Sequence, residues 1–236
     1  MILCLCTNAR EARLRLIAHR GGRGFGTDNT LDAMEAAVRA GVKMIETDVR
    51  MTADGELVIC HDATVWGRMV SHMTLGELRK HAPERPLLRE VLESLAGWVA
   101  FDIEVKDASM KALEGLLDMH SLEIDTLVTS FNARFLDGFK ALFPRVRTGH
   151  GYRLPTGQDR KLESAVNIGA EVIAPHFNSI SEELVRNAHE RGIEVYAWTV
   201  NDEGDFLKLH GWGVDAVITD RYLELAHLQH ERFAQK

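Results

Sequence analysis

The stretch Met44-Ile45-Glu46-Thr47-Asp48-Val49 decides the fold. Side chains two apart in a strand share a face, so Glu46 and Asp48 point one way and Ile45 and Val49 the other. The pattern returns in Phe101-Asp102-Ile103-Glu104-Val105-Lys106. There Asp102, Glu104 and Lys106 share one face, and Phe101, Ile103 and Val105 the other. The apolar faces suit packing against helices. The ionisable faces must then point into the sheet's enclosed side, where unpaired carboxylates are costly unless another charge offsets them.

Outward from these two strands, short β-rich runs alternate with longer helical patterns. Strands are predicted at 16–18, 44–49, 99–105, 126–130, 145–149, 171–174, 193–198 and 214–218. Helices are predicted at 30–40, 88–95, 109–120, 133–142, 159–167, 181–190, 203–210 and onward from Tyr222. Asp54-Gly55 is a turn signal, and 57–60 reads as a short extra strand. Eight β/α units predict an α/β fold, a single (β/α)8 TIM barrel, with one catalytic domain over 1–236. A short hairpin or cap insertion is expected after strand two, at about 54–86. The rival doubly wound sheet wants a glycine-rich dinucleotide turn after strand one. In His19-Arg20-Gly21-Gly22-Arg23-Gly24 that turn is crowded by a histidine and two arginines.

With 45% hydrophobic and 27% charged residues, the composition is that of a globular protein and excludes a disordered one. The 28 Lys+Arg against 35 Asp+Glu give a net charge of −7, which argues against nucleic-acid partners while leaving room for a local basic pocket. No apolar run approaches the ~18–20 residues that span a bilayer, so no stable membrane insertion is expected. The opening Met1-Ile2-Leu3-Cys4-Leu5-Cys6 is shorter than the apolar core of a signal peptide. Cys4, Cys6 and Cys60 form an odd set in a chain large enough to need no staples. These features predict a reduced, cytoplasmic protein; homo-oligomerisation is left open.

Barrel function sits at the carboxyl ends of the strands. His19-Arg20 end strand one, Glu46 and Asp48 lie on strand two, and Glu104 and Lys106 lie on strand three. His61-Asp62 follow the extra strand. Any one of these has a plain explanation as an ion pair or a solvated loop entry; their conjunction at one mouth is hard to attribute to packing. Clustered carboxylates make sense if a cation shares them, and hard oxygen donors favour Mg²⁺ or Ca²⁺. The His-x-His of metal-dependent amidohydrolase barrels is missing, since Arg20-Gly21 follows His19. That leaves the histidines for acid–base work. Arg20 and Lys106 add positive charge, and the set suits phosphoryl chemistry. His150 and His176, near the ends of later strands, can reach the mouth.

Together these residues resemble the glycerophosphodiester phosphodiesterase family. The resemblance is carried by Ile17-Ala18-His19-Arg20-Gly21, Asp28-Asn29-Thr30, Glu46-Thr47-Asp48-Val49, His61-Asp62 and Ile103-Glu104-Val105-Lys106. Softer matches follow in Ser130-Phe131-Asn132, Trp198-Thr199-Val200-Asn201 and 214–220, so the likeness runs from about residue 16 to about 220. It implies a TIM barrel that hydrolyses a small-molecule glycerophosphodiester to sn-glycerol 3-phosphate and an alcohol. Carried over by position, His19 and His61 are the general acid and base, in either order. Glu46, Asp48 and Glu104 bind the divalent cation, Arg20 and Lys106 hold the phosphate, and Trp198 forms an apolar wall of the substrate site. The attacking oxygen is water or the substrate's own glycerol hydroxyl.

Three departures stand out. Thr27-Asp28-Asn29-Thr30 replaces the family's usual Pro-Glu-Asn-Thr. The segment after His61 is short, leaving Trp66, Arg68 and His72 to cap the site. Arg221 stands where a proline often follows the last Thr-Asp. Two other readings remain: a related phospholipase D-like barrel acting on lysophospholipids, with Phe25, Trp66 and Met69 lining a groove, or a non-catalytic phosphodiester-binding protein.

Overall fold

The computed structural model describes residues 14–120, 126–153 and 157–233. Cys4, Cys6 and the rest of the amino-terminal segment lie outside the described residues. In chain order the strands are β1 (Arg15–Ala18), β2 (Met44–Met51), β3 (Leu57–Ile59), β4 (Thr64–Val65), β5 (Arg68–Met69), β6 (Ala100–Asp107), β7 (Thr126–Ser130), β8 (Arg147–Tyr152), β9 (Val172–Pro175), β10 (Glu194–Ala197) and β11 (Ala216–Thr219). The helices are α1 (Leu31–Arg39), α2 (Leu75–His81), α3 (Leu88–Leu95), α4 (Met110–His120), α5 (Ala133–Leu142), α6 (Gln158–Ile168), α7 (Glu182–His189), α8 (Glu203–Gly211) and α9 (Tyr222–Phe233).

Eight of the strands form a closed parallel barrel. The order runs β1-β2-β6-β7-β8-β9-β10-β11 and returns to β1. The closing seam pairs Arg15–Ala18 with Ala216–Thr219 residue by residue, and Ala18 also pairs with Ile45. The extra strand β3 lies antiparallel on the overrun of β2, pairing Val49 with Ile59.

Alternation along the strands sorts the side chains as expected. Ile45, Val49, Phe101, Ile103 and Val105 are buried in the layer between strands and helices, against Met34 and Ala37 of α1 and Leu88, Val91 and Leu92 of α3. Fully burying one such side chain contributes about 1.5–3 kcal/mol. The opposite faces fill the barrel. Its floor is apolar, built from Ile17, Leu127, Val172, Tyr196 and Ala216. Its upper layer is polar, because Glu46, Asp48 and Glu104 continue the inward faces of β2 and β6.

The segment after His61 holds more structure than the sequence reading assigned. The β4–β5 hairpin is followed by helix α2, whose amino end is a capping box: Thr74 and Glu77 each bond the other's backbone N–H. Trp66 does not cap the mouth. It is 79% exposed at the hairpin tip and stacks on His81, with ring centroids 4.9 Å apart. Arg68 is paired with Glu77 at 3.2 Å. Phe25 packs against Tyr222 and lines a pocket with Thr27 and Glu84, while Met69 and Trp66 are exposed.

Strand β8 runs to Tyr152, past the expected end, and this fixes the fate of His150. Gly149 and Gly151 face the barrel interior, so His150 and Tyr152 face the helix layer. His150 is buried there, and burial holds its imidazole below the ordinary value. It does not reach the mouth. No helix among the described residues is long and apolar enough to cross a membrane.

Candidate active site at the barrel mouth

A cavity of about 680 Å³ opens at the carboxyl ends of the strands. His19, Arg20, Asp48, His61, Glu104 and Lys106 line one side of it, and Phe131, Arg134, Arg153 and Trp198 the other. Glu46 lies in a smaller recess shared with His19 and Glu104.

Glu46, Asp48 and Glu104 each present one oxygen, and these three atoms lie within 4.8 Å of one another. Neighbours aim them. The backbone N–H of Arg20 donates to Glu46 Oε2 at 2.8 Å. Asn29 Nδ2 donates to Asp48 Oδ2 at 3.0 Å, and its Oδ1 accepts from Thr47 Oγ1 at 2.9 Å. Both Arg20 and Asn29 have positive φ, 48° and 57°, which turns these donors inward. Lys106 Nζ bridges the other carboxylates, at 2.5 Å from Glu104 Oε1 and 3.0 Å from Asp48 Oδ1.

The charges in this cluster do not balance. Burial, with repulsion from Asp48, Glu104 and Asp102, holds the Glu46 carboxyl well above its usual range. Burial pushes Asp102 up to about 7, although Thr129 Oγ1 donates to it at 2.7 Å. Burial likewise raises Glu104, against the opposing pull of Lys106. Asp48 is the exception: burial alone would raise it, but Lys106 and the Asn29 amide outweigh this and lower it. The Lys106 ammonium, with the Arg20 guanidinium 3.9 Å from Asp48, thus stands against four carboxyls, three of them buried. An all-oxygen donor set with surplus negative charge fits a hard divalent cation.

The two histidines are fixed alike. His19 Nδ1 lies 2.7 Å from Asp220 Oδ1, and His61 Nδ1 lies 2.8 Å from Asp62 Oδ1. Burial raises Asp220, but bonds from His19 and Asn201 outweigh it and lower its pKa. The His61 hydrogen bond lowers that of Asp62. Both carboxyls are thus acceptors and both Nδ1 atoms are donors, which leaves each Nε2 as the ring atom available to take or give a proton. His19 Nε2 lies 3.9 Å from Glu46 Oε2. The loop carrying His61 is tied down by Arg50, whose Nε and Nη2 donate to the His61 carbonyl at 3.0 and 2.9 Å.

Arg20 Nε is buried and makes no hydrogen bond; it faces Asp48 Oδ2 at 3.9 Å. Asp28 accepts from Arg20 Nη1 at 3.3 Å, so this departure from the family pattern holds an arginine. Trp198 is anchored by its Nε1, which donates to the Ala174 carbonyl at 2.7 Å, and meets Phe131 edge to face at 5.5 Å. A Cβ at Gly151 would lie 2.9 Å from the Phe131 ring, so this glycine makes room for it. His176 packs against Trp198 and does not line the cavity.

All eight site residues named from sequence therefore meet at one mouth. The sequence reading missed the supporting roles of Asp220, Asn29, Arg50, Phe131 and Gly151. A signal existed for Asp220: it follows the last strand, where barrel closure sets it beside His19.

Residues 19–224 match the model of the glycerophosphoryl diester phosphodiesterase family. The chain is 31% identical over 229 residues to the glycerophosphodiester phosphodiesterase of Caldanaerobacter subterraneus subsp. tengcongensis, covering 87% of this chain and 93% of that protein. The glycerophosphodiester phosphodiesterase of Bacillus subtilis is 27% identical over 255 residues, with 91% and 86% covered. Among solved structures, an Oleispira antarctica phosphodiesterase in complex with the product sn-glycerol-3-phosphate superposes with a TM-score of 0.81 at 26% identity. That match covers 90% of this chain and 95% of the other.

Proposed function

The chain belongs to the glycerophosphoryl diester phosphodiesterase family, and from this premise we propose that it hydrolyses glycerophosphodiesters to sn-glycerol 3-phosphate and an alcohol by cation-dependent, two-histidine catalysis. The observation that carries the reading is one barrel mouth shared by two carboxylate-oriented imidazoles, a carboxylate cluster and the side chains of Arg20 and Lys106.

Glu46, Asp48 and Glu104 would hold Mg²⁺ or Ca²⁺. When bound, the cation supplies Lewis-acid stabilisation of charge on the phosphoryl oxygens. The rest falls to the chain. A phosphodiester resists attack because its charge repels nucleophiles and its leaving alkoxide is poor. Arg20 Nε, a buried donor with no acceptor, is suited to a phosphate oxygen, and Lys106 adds a second positive charge. One imidazole, neutral at Nε2, takes the proton of the attacking oxygen as its bond to phosphorus forms. The other, protonated at Nε2, gives its proton to the leaving alcohol oxygen as that bond breaks. Asp220 and Asp62 hold the rings with Nε2 available and stabilise whichever ring is cationic. Trp198 and Phe131 provide an apolar wall.

The test is release of glycerol 3-phosphate from glycerophosphocholine, glycerophosphoethanolamine and glycerophosphoglycerol, with Mg²⁺, with Ca²⁺ and with a chelator. Cation-dependent release from at least one substrate is expected. Binding of these diesters without release under any condition would instead indicate the non-catalytic reading.

A further inference from the structure

The far side of the cavity carries more positive charge than phosphate binding requires. Arg134 and Arg153 stand on it, both exposed, and neither makes an ion pair among the described residues. The only carboxylates among the described lining residues are Asp48 and Glu104, and Lys106 bridges both.

The aromatic faces are also engaged. A quaternary ammonium is typically recognised by lying over aromatic rings within about 6 Å of their centroids. Here Arg153 Cζ lies 5.2 Å from the Trp198 centroid, and Lys106 Nζ lies 5.6 Å from that of Phe131. Each ring that faces the substrate already has a cation from the chain. A cationic alcohol would meet occupied rings, unpaired guanidinium groups and no free carboxylate. An anionic alcohol would find two guanidinium groups suited to a carboxylate or phosphate.

The geometry points to a glycerophosphodiester whose alcohol portion is anionic, held by Arg134 and Arg153, with quaternary ammonium alcohols disfavoured. This rests on the phosphodiesterase reading and adds the substrate class to it. It requires the alcohol arm, and not the neutral glycerol, to lie on the Trp198 side of the cavity, where Arg153 stacks on the ring.

Three diesters with the same two-carbon spacer vary the charge: those of choline, of its neutral isostere 3,3-dimethylbutanol, and of 3-hydroxypropionate. With Mg²⁺ at low ionic strength, kcat/KM is expected to rise in that order. The anionic ester should exceed the choline ester by about tenfold, a span set by screened interactions at a cleft rim. In about 0.5 M salt the ratio should shrink, since the screening length falls to roughly 4 Å. Arg134→Gln and Arg153→Gln should each lower the ratio, and the double variant should bring it close to one. A choline ester turned over as well as its neutral isostere, or a ratio unmoved in the double variant, overturns the assignment.

Calorimetric titration with the three corresponding phosphomonoesters, in the same Mg²⁺ buffer, reads the same preference without turnover. Tighter binding of the anionic monoester with no hydrolysis of any diester would sustain the charge preference while refuting the phosphodiesterase reading. Hydrolysis combined with tighter binding of phosphocholine would do the reverse.

Discussion

His19 and Asp220 face each other across the seam that closes the barrel, with Nδ1 and Oδ1 2.7 Å apart. They follow directly after Ala18 and Thr219, which are paired in register on β1 and β11. Residues 201 positions apart thus become neighbours only when the first and last strands meet. Asn201 completes the arrangement, donating from Nδ2 to Asp220 Oδ2 at 2.7 Å and accepting the Asp220 N–H at 2.9 Å.

Asp220 is accordingly expected to act as a positioning residue. Asp220→Asn should lower kcat by about ten- to a hundredfold, and His19→Ala by about 10²–10⁴-fold, the usual span of general acid–base contributions. Steady-state kinetics with circular dichroism checks both. Full turnover by folded His19→Ala protein would contradict its role.

The carboxylate cluster should respond to cations as a unit. Mg²⁺ or Ca²⁺ is expected to raise Tm, with about 2.7 kcal/mol of added stability at a hundred times Kd. Glu46→Gln, Asp48→Asn and Glu104→Gln should each weaken that response together with the activity. Thermal melts across a cation titration give the readout. Variants that respond like the parent protein would remove these residues from the binding set.

Asn29 links Thr47 to Asp48 and is fully buried. Asn29→Ala leaves a buried hydroxyl and a buried carboxylate each short of a partner, at a cost of about 1–3 kcal/mol. Chemical denaturation should show that loss, and cation affinity should fall with it. Unchanged cation affinity would show that Asp48 keeps its orientation without the amide.

At the opposite end of the barrel, Glu194 Oε2 accepts from Arg15 Nη2 at 2.5 Å, Arg147 Nη2 at 2.7 Å and Tyr196 Oη at 3.0 Å. Burial would raise the Glu194 pKa, but Arg147 and Arg15 outweigh it and hold the carboxyl below the ordinary 4.5. A depressed acid adds stability above its unfolded pKa and loses it as pH falls through the folded one. Glu194→Gln should therefore destabilise at pH 7 and much less near pH 3. The cost at pH 7 is expected to be about 1 kcal/mol, since the three charged side chains remain 33–43% exposed and screened. Denaturant midpoints at the two pH values check this, and an equal loss at both would contradict the charged contribution.

The barrel was legible because its two-residue alternation is strongest where inward carboxylates face outward aliphatic residues, as at Glu46/Asp48 against Ile45/Val49. The named site residues were legible because they end early strands or follow β3. What escaped was set by closure and by local backbone. Asp220 needed the β1–β11 seam, and the Asn29 contact needed a positive φ. His150 misled because Gly149 and Gly151, with no side chains to show a pattern, conceal which face of β8 looks inward. Helix α2 was missed although Thr74 and Glu77 carry a capping-box spacing; a helix of seven residues offers too little periodicity to stand out.

The most direct measurement is glycerol 3-phosphate release by the parent protein, by chelator-treated protein and by His61→Ala, assayed in parallel on the same diesters. Release that needs the divalent cation and is lost in the folded His61→Ala variant is the predicted result. Equal release by all three samples would contradict the cation-dependent, two-histidine mechanism.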